Sequence, residues 1–494
     1  MSEQAANQQT FSEQEGIRRA KLQELMDQGQ NPYLLTKYPV DALSSAIKDE
    51  FEKLNGQTVA IAGRMTSRRV MGKASFAHLL DAVGMIQVYV RRDDLGLEAY
   101  QTFKSYDLGD MLGIRGKVFK TKTGEISVHA EEITLLAKCL KPLPEKWHGL
   151  QDMDLRYRQR YLDMIVNPDV RESFIKRTRI INAIRHFLDA RGFLEVDTPI
   201  LHTLEIGAAA RPFKTYHNTL DIDMFLRIET ELYLKRLIVG GFDKVYEIGR
   251  IFRNEGMSPK HNPEFTTVEV YQAYVDYHEI MRLVEEMISF VAMEACGTTN
   301  VTYQGKEINL AAPWPRITMA EAVKQESGID FFAWESDEDA RNCLKERGIK
   351  IETGATRGDC LAELFDEYVE DKLIQPTFIT DYPVEISPLA KRKPEDPWLT
   401  ERFEFFICGS EFGNAFSELN DPFDQRARFE RQVKERHRLG GLNARVDEDF
   451  LNALEYGMPP TGGLGVGVDR LIMLLTDSAS IRDVLLFPTM KPLG

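Results

Sequence analysis

The sequence predicts an α+β protein of two or three domains, and three observations carry this reading. The chain has 494 residues, more than one core usually holds. From about 57 to 140, short alternating segments are separated by Gly, Asp and Lys-Thr-Gly turns. Five such strands in about 85 residues predict a small closed barrel of the oligonucleotide-binding type. From 150 onward, long helical patterns mix with strands.

Taken in order, residues 11–28, FSEQEGIRRAKLQELMDQ, have helical periodicity and a polar surface. Residues 29–55 mix connector and helix. The barrel strands are TVAIAGRM, ASFAHLLDA, IQVYVRR, DMLGIRGKVFKT and EISVHAEEITLLA. A linker with Pro142 and Pro144 follows. Residues 171–191 predict an amphipathic helix ended by Gly192. Residues 277–296 are helical, and 315–375 read as largely helical. Strands return near 401–420, and a Gly-rich strand-to-helix unit runs through 462–475. The division is a helical extension at 1–55, the barrel at 56–141, a linker at 142–160 and a second domain at 161–494. A helical insertion is expected at 310–375.

No apolar run reaches about 18 residues, so no membrane-spanning helix is expected. The N-terminus is polar and acidic, without the basic and apolar regions of a secretory signal, and a cytoplasmic location is expected. The five cysteines are scattered with no metal-binding spacing and read as reduced structural thiols. The net charge of -15 argues against non-specific nucleic-acid binding over the whole surface. Residues 60–145 nevertheless carry a mild excess of Lys and Arg. HExxH, Walker A and GxSxG motifs are absent.

Three segments concentrate chemistry. The first is RIFRNEGMSPKHNPEFTTVEVYQAY, residues 250–274. Arg253 offers a fork that can hold a phosphate bidentately, and Phe265 an aromatic face for a base. Glu269 and Tyr271 alternate onto one strand face. A carboxylate on an inward face implies a partner, because its burial unpaired is costly. The set suits a nucleoside triphosphate held beside a small cationic substrate. The second, GGLGVGVDRLIMLLT at 462–476, brings glycines past a ligand and then starts a helix with Asp469 and Arg470. A dinucleotide fingerprint is rejected, because no βαβ unit with a following acidic residue surrounds it. The third, RFEFFICGSEFGNAFSELND at 402–421, carries Glu404, Glu411, Asn414, Phe416 and Glu418. Glu411 and Glu418 lie an odd number of residues apart, so a regular strand would separate them; a bulge or turn at Gly413 can re-aim them. Glu404 and Glu411 are hard oxygen ligands suited to Mg²⁺ shared with phosphates.

Together these segments resemble the signature motifs of class II aminoacyl-tRNA synthetases. GFLEVDTPIL (192–201) looks like motif 1, FRNEG with HNPEF like motif 2, and GLGVGVDR like motif 3. The class I signatures HIGH and KMSKS are missing. A barrel before the catalytic domain is the arrangement of the lysyl, aspartyl and asparaginyl subgroup. The match is closest to the bacterial-type lysyl enzymes, through RRVMGKASF, KTKTGE, HGLQDMDLRYRQRYLD, AAARPF, ELYLKRLIVGGF and FGNAFSELNDP.

The resemblance implies a catalytic domain with a mainly antiparallel sheet flanked by helices. It implies Arg253 and Arg470 as catalytic residues, and ATP contacts from Arg253, Glu255, His261, Asn262, Phe265 and Arg470. It implies Mg²⁺ at Glu404 and Glu411. It implies an L-lysine pocket of Gly207, Glu231, Glu269, Tyr271, Asn414, Phe416 and Glu418. For the barrel it implies anticodon contacts from Arg68, Phe76, Gln87 and Glu125, with tRNA(Lys) as partner. Motif 1 implies a homodimer. The carboxylates at the pocket positions agree with a diamino acid independently of the name, since an aspartate pocket would need a cation at its distal end. The sequence departs from the family at Glu229, where an alanine is usual, and at Ile206, where a glycine is usual. The alternatives are an aspartyl- or asparaginyl-type enzyme and a non-catalytic RNA-binding paralogue. The acidic pocket disfavours the first, and retention of both arginines disfavours the second.

Overall fold

A computed structural model describes residues 12–144, 150–204, 210–438 and 445–493. The chain forms two compact units, Met1–Gln151 and Asp152–Gly494.

In the first unit, α1 (Glu13–Asp27) starts at Ser12, whose side chain accepts from the Glu15 N–H. The barrel strands are β1 (Thr58–Met71), β2 (Ala74–Leu80), β3 (Met85–Arg91), β4 (Met111–Lys120) and β5 (Ile126–Ala137), with α2 (Leu97–Ser105) between β3 and β4. They close in the order β1-β2-β3-β5-β4. An irregularity between Met65 and Ser67 bends β1 so that it pairs with both β2 and β4. The period of two sorts the side chains. Ala77, Leu79, Val88 and Val128 fill the interior, while Phe76, His78, Gln87 and Tyr89 are only partly buried. The N-terminal extension is fastened to this barrel. Leu25 and Ile47 join its core, and Arg18 Nη1 donates to the carbonyls of Leu108, Cys139 and Lys141 at 2.9–3.3 Å.

The second unit begins inside the stretch expected to be linker. The Asp152 side chain caps the helix Met153–Arg158. Arg160 is fully buried, pairing with Asp163 at 2.7 Å and donating to the carbonyls of Arg482, Leu485 and Leu486. A buried guanidinium with all these partners cannot belong to a loose connector.

The framework of this unit is one eight-stranded sheet. In chain order its main elements are α3 (Pro168–Asp189), β6 (Leu194–Glu195), α4 (Glu231–Val239), β7 (Lys244–Phe252), β8 (Glu264–Ala273), α5 (Tyr277–Cys296), β9 (Arg316–Thr318), α6 (Met319–Ser327), α7 (Asp337–Glu346), α8 (Arg357–Tyr368), β10 (Thr377–Thr380), β11 (Arg402–Phe406), β12 (Glu411–Ser417), α9 (Glu448–Glu455), β13 (Thr461–Gly467) and α10 (Val468–Thr476). The strands lie in the order β9-β10-β11-β12-β13-β8-β7-β6. All neighbours are antiparallel except the two edge pairs, β9–β10 and β7–β6. This is the mainly antiparallel sheet that the resemblance implies. Helix α3 starts earlier than its apolar period suggests, because Pro168 suits the first turn of a helix.

One sheet face is apolar. Val268, Val270, Leu464, Val466, Phe405 and Ala415 pack there with residues of α3, α5 and α10 in one core. The segment 319–368 holds α6–α8, which share a separate core with Ile379 and Phe406 of the sheet's end. The other face carries the chemistry.

Candidate functional site

The register of the four central strands sets the site. Glu404, Asn414, Gly465 and Glu269 lie in one row across β11, β12, β13 and β8. The next row is Arg402, Phe416, Gly463 and Tyr271. Glycines thus occupy the centre of both rows, and the β13 backbone forms a floor with carboxylates, an amide and aromatics around it. The expected re-aiming near Gly413 takes the form of a bulge at Phe412: Phe405 pairs Gly413, but Phe406 pairs Glu411. Phe412 turns into the core against Phe405, and Glu411 joins Asn414, Phe416 and Glu418 on the cavity wall.

The resulting cavity has a volume of about 390 Å³. It gathers Arg253, Glu255, His261, Asn262, Phe265, Glu411 and Arg470 with Glu231, Glu269, Tyr271, Asn414, Phe416 and Glu418. Gly207 lies outside the described residues. Glu404 is behind the wall, near Glu411. Its oxygens are held by Arg402 at 2.6 Å and the Tyr382 hydroxyl at 2.9 Å.

One part of the cavity carries its two arginines, Arg253 and Arg470. β7 and β8 form a hairpin whose loop is pinned by the Arg253 N–H donating to the Pro263 carbonyl at 2.8 Å. The Arg253 guanidinium lies 5.4 Å from the Phe265 ring. Its Nε and the Asn262 Oδ1 are buried with no hydrogen-bond partner among the described residues. Arg470, in the first turn of α10, donates to the Glu411 carbonyl and lies 3.3 Å from His261 Nε2. Burial and the nearby Arg470 charge hold the His261 imidazole below its ordinary range. Asp469 ties this corner together, accepting from the Thr266 N–H at 2.7 Å and from Arg177 at 2.5 Å.

The other part is acidic. Glu269 accepts from the Thr230 N–H at 3.3 Å and the Tyr271 hydroxyl at 3.2 Å. Burial, then the Glu231 carboxylate, push Glu269 up to about 7. Tyr271 is raised well above its usual value by burial and surrounding carboxylates, and keeps its proton. Glu418 is fully buried. Its Oε2 is in ion-pair contact with the Lys235 ammonium; neither oxygen has a hydrogen bond of good geometry among the described residues, and Oε1 has no ion-pair contact there either. A buried carboxylate oxygen without a donor is costly, and a cationic ligand would satisfy it. Sequence reasoning missed Lys235. The available signal was its i,i+4 spacing from Glu231 on a helix.

Glu404 and Glu411 are neighbouring hard-oxygen carboxylates, of which Glu411 lines the cavity and Glu404 stands behind it. Burial and then the Glu411 charge push Glu404 up to about 6, which marks two carboxylates close enough to repel.

The barrel presents its own surface. Phe76 and Tyr89 rings lie 5.0 Å apart, and Tyr89 continues to His129 at 5.0 Å and Phe119 at 5.9 Å. Beside this platform Gln87 donates to Glu125 at 2.9 Å and accepts from Ser127 at 2.9 Å, while His78 lies 3.3 Å from Glu125. The sequence pointed to Phe76, Gln87 and Glu125 but not to His78, Tyr89, Phe119 and His129. Strand pairing, which the sequence does not give directly, brings these together. Arg68 is partly committed elsewhere: its Nη1 donates to the carbonyls of Phe103 and Tyr106 beside α2. Arg69 and Lys73 are exposed. Aromatic platforms beside edge-reading polar groups suit unstacked bases.

Among the described residues, no helix is long and apolar enough to cross a membrane. Residues 59–136 match the OB-fold nucleic acid binding domain, and residues 152–491 match the family of tRNA synthetases class II (D, K and N). The chain is 59% identical over 476 residues to the lysine--tRNA ligase of Moorella thermoacetica, covering 96% of this chain and 97% of the relative. It is 57% identical over 493 residues to that of Pelotomaculum thermopropionicum, covering 99% and 97%. With the lysine--tRNA ligase of Clostridium perfringens it shares 56% over 488 residues, covering 98% and 97%. The sheet with its glycine floor, the arginine-lined and acidic parts of one cavity, and these matches along both units make the chain a member of the class II tRNA synthetases of the D, K and N group.

Proposed function

We infer that this chain joins lysine to tRNA. It is an ATP-dependent class II ligase, and lysine, ATP and tRNA are its substrates. The observation that carries the choice of a diamino acid is the Glu418 Oε1, buried and without a donor, beside Tyr271 over the Gly463 backbone.

The residue roles are those that the resemblance implies, and the cavity lining supports them. The lysine carboxylate attacks the α-phosphorus of ATP, forming a carboxyl–phosphate bond as pyrophosphate leaves. The 3′-terminal hydroxyl of tRNA then attacks the activated carbonyl, and AMP leaves. The first step needs positioning and charge neutralisation rather than a general base, because a carboxylate is already a nucleophile. Arg253 faces the α-phosphate and the lysine carboxylate. Phe265 and Arg470 hold adenine between them, with Glu255, His261 and Asn262 completing the ATP contacts. Glu231 and Glu269 take the α-ammonium; Glu418 and Tyr271 take the ε-ammonium, with Asn414 and Phe416 beside them. Gly207 belongs to the loop over the pocket. Glu404 and Glu411 would hold Mg²⁺, whose charge would offset that of the ATP phosphates.

The barrel reads the anticodon of tRNA(Lys) through Phe76, Gln87 and Glu125, with Arg68 at its edge. The working division is the 1–55 extension, the 56–141 barrel and a catalytic region reaching 494. The protein acts as a homodimer through 192–201, a reading supported by the exposed Leu194, Ile200 and Leu201. Its substrates ATP and tRNA are cytoplasmic species, and the cytoplasm is its place of action.

Amino-acid-dependent ATP–pyrophosphate exchange tests the reading. Lysine supports exchange, and aspartate, asparagine, ornithine and arginine do not. Exchange with aspartate in place of lysine would overturn the pocket assignment.

Two further results are expected. Below about pH 7 Glu269 keeps its proton in the free enzyme, so lysine must displace that proton to bind. The KM for lysine therefore falls as pH rises from 6 to 7, approaching tenfold per unit on the acid limb, and levels above about 8. Glu269→Gln removes this break. The same shift bears on folding. The native carboxyl binds its proton more tightly than the unfolded one, so its stabilising contribution is full at low pH and is lost as pH rises from 4.5 through about 7. In the barrel, Phe76→Ala removes one stacking surface and weakens tRNA binding by about 1–3 kcal/mol, with lysine activation unchanged. An unchanged KM for tRNA in the aminoacylation assay would remove Phe76 from the interface.

A further inference from the structure

The amino-acid pocket contains a cation of its own. Lys235 lies on α4, one turn after Glu231, and is fully buried. Its ammonium is 2.6 Å from Glu231 Oε1 and in direct contact with Glu418 Oε2. It also lies 5.5 Å from the centre of the Phe416 ring and 5.9 Å from that of Phe450 on α9. All of these contacts but Phe450 are residues that the proposed function places in the lysine pocket. Lys235 itself does not line the cavity. It stands behind the wall, holding one oxygen of Glu418 and leaving the other, Oε1, without a donor.

We propose that Lys235 is a positioning residue that sets the demand of this pocket for a cation at the distal end of the substrate. By contacting Oε2 of Glu418 and Oε1 of Glu231 it fixes the orientation of both carboxylates. Each then presents its remaining oxygen as an acceptor. A carboxylate buried as completely as Glu418 favours its neutral form, and burial does push it well upward; the Lys235 ammonium is the group that opposes this. Burial likewise acts to discharge Lys235, and the two carboxylates more than offset it. The Lys235 ammonium therefore bridges the two carboxylates before any ligand arrives. Without Lys235, Glu418 and Glu231 would lose the cation that bridges them, and Glu418 Oε1 would no longer be held toward the substrate. Such a pocket would no longer distinguish an ε-ammonium from a neutral group of the same shape. The helix placement serves this role: a one-turn spacing orients Lys235 toward Glu231, and α4 then carries it to the end of β12, where Glu418 follows Ser417.

This inference rests on the lysine reading of the pocket, and the experiment separates the two. Wild-type exchange with lysine is the control, because its absence would sink that reading and not the role of Lys235 alone. With the control in hand, exchange is compared for lysine and 6-hydroxynorleucine, which replaces the ε-ammonium by a hydroxyl. In Lys235→Met the KM for lysine rises at least tenfold, while kcat stays within about threefold. The preference for lysine over the hydroxyl analogue narrows at least tenfold. In Lys235→Ala, which leaves room for a small cation, added propylammonium lowers the KM for lysine back toward the wild-type value, and added propanol does not. An unchanged preference in Lys235→Met overturns the proposal. So does failure of propylammonium to rescue Lys235→Ala. If neither variant folds, with or without propylammonium, Lys235 is a structural residue and the proposal falls.

Discussion

Replacing Arg253 by Gln is expected to lower kcat/KM for lysine-dependent ATP–pyrophosphate exchange by about 10²–10³-fold, the usual cost of removing one preorganised donor from developing charge. The argument is geometric. Arg253 ends β7 and its backbone is locked to Pro263 across the hairpin. Its guanidinium reaches the cavity beside Phe265, with Nε buried and unpaired among the described residues. A preorganised cation costs little reorganisation at the moment of reaction and acts most strongly where water is excluded. Arg253→Lys should recover little, since a point charge cannot replace a planar fork against phosphate and carboxylate together. Folding should be nearly untouched, within about 0.5 kcal/mol, because among the described residues the guanidinium makes no ion pair that would be lost. Exchange kinetics beside a thermal melt would check both halves. Activity within about tenfold of wild type would remove Arg253 from the reacting centre.

Much of this site was legible in the sequence because strand periodicity is strict. Glu269 and Tyr271 are two apart on β8, and Asn414, Phe416 and Glu418 follow the same period, so each set had to share a face. Helix placement was also legible: Tyr277–Cys296 is bounded where its apolar pattern ends. What the sequence did not give was what happens between elements. The bulge at Phe412 depends on pairing with β11. The contact of Lys235 with Glu418 joins residues 183 positions apart and needs the packing of α4 beside β12. The barrel platform likewise depends on β3 lying between β2 and β5, which no single strand reveals. The start of the second unit was missed for a similar reason. Arg160 reads as a surface residue until its partners near 482–486 are known.

The glycine floor yields the other large effect. Gly463→Ala is expected to raise the KM for lysine more than 100-fold, on the scale of discrimination lost when buried polar partners are displaced. It should also destabilise the fold by about 1–3 kcal/mol. A methyl group at this position would fall on the Glu418 carboxylate and lie 2.6 Å from the Tyr271 ring. Both are almost wholly buried and cannot retreat without disturbing Lys235 and the core beside Phe416. The two groups assigned to the ε-ammonium would therefore move together. Two positions along the same strand, Gly465 presents a different case. A methyl group there meets nothing closer than Glu269 Cγ at 3.8 Å. Gly465→Ala should fold normally, yet place a methyl in the space between Asn414 and Glu269 that the substrate must enter. Its KM for lysine should rise without a fall in melting temperature. The pair would separate two uses of glycine on one strand: at 463 the missing side chain makes room for the protein's own carboxylate, and at 465 the proposed reading has it make room for the ligand. A Gly463→Ala protein with wild-type KM for lysine would show that Glu418 and Tyr271 do not hold the distal ammonium.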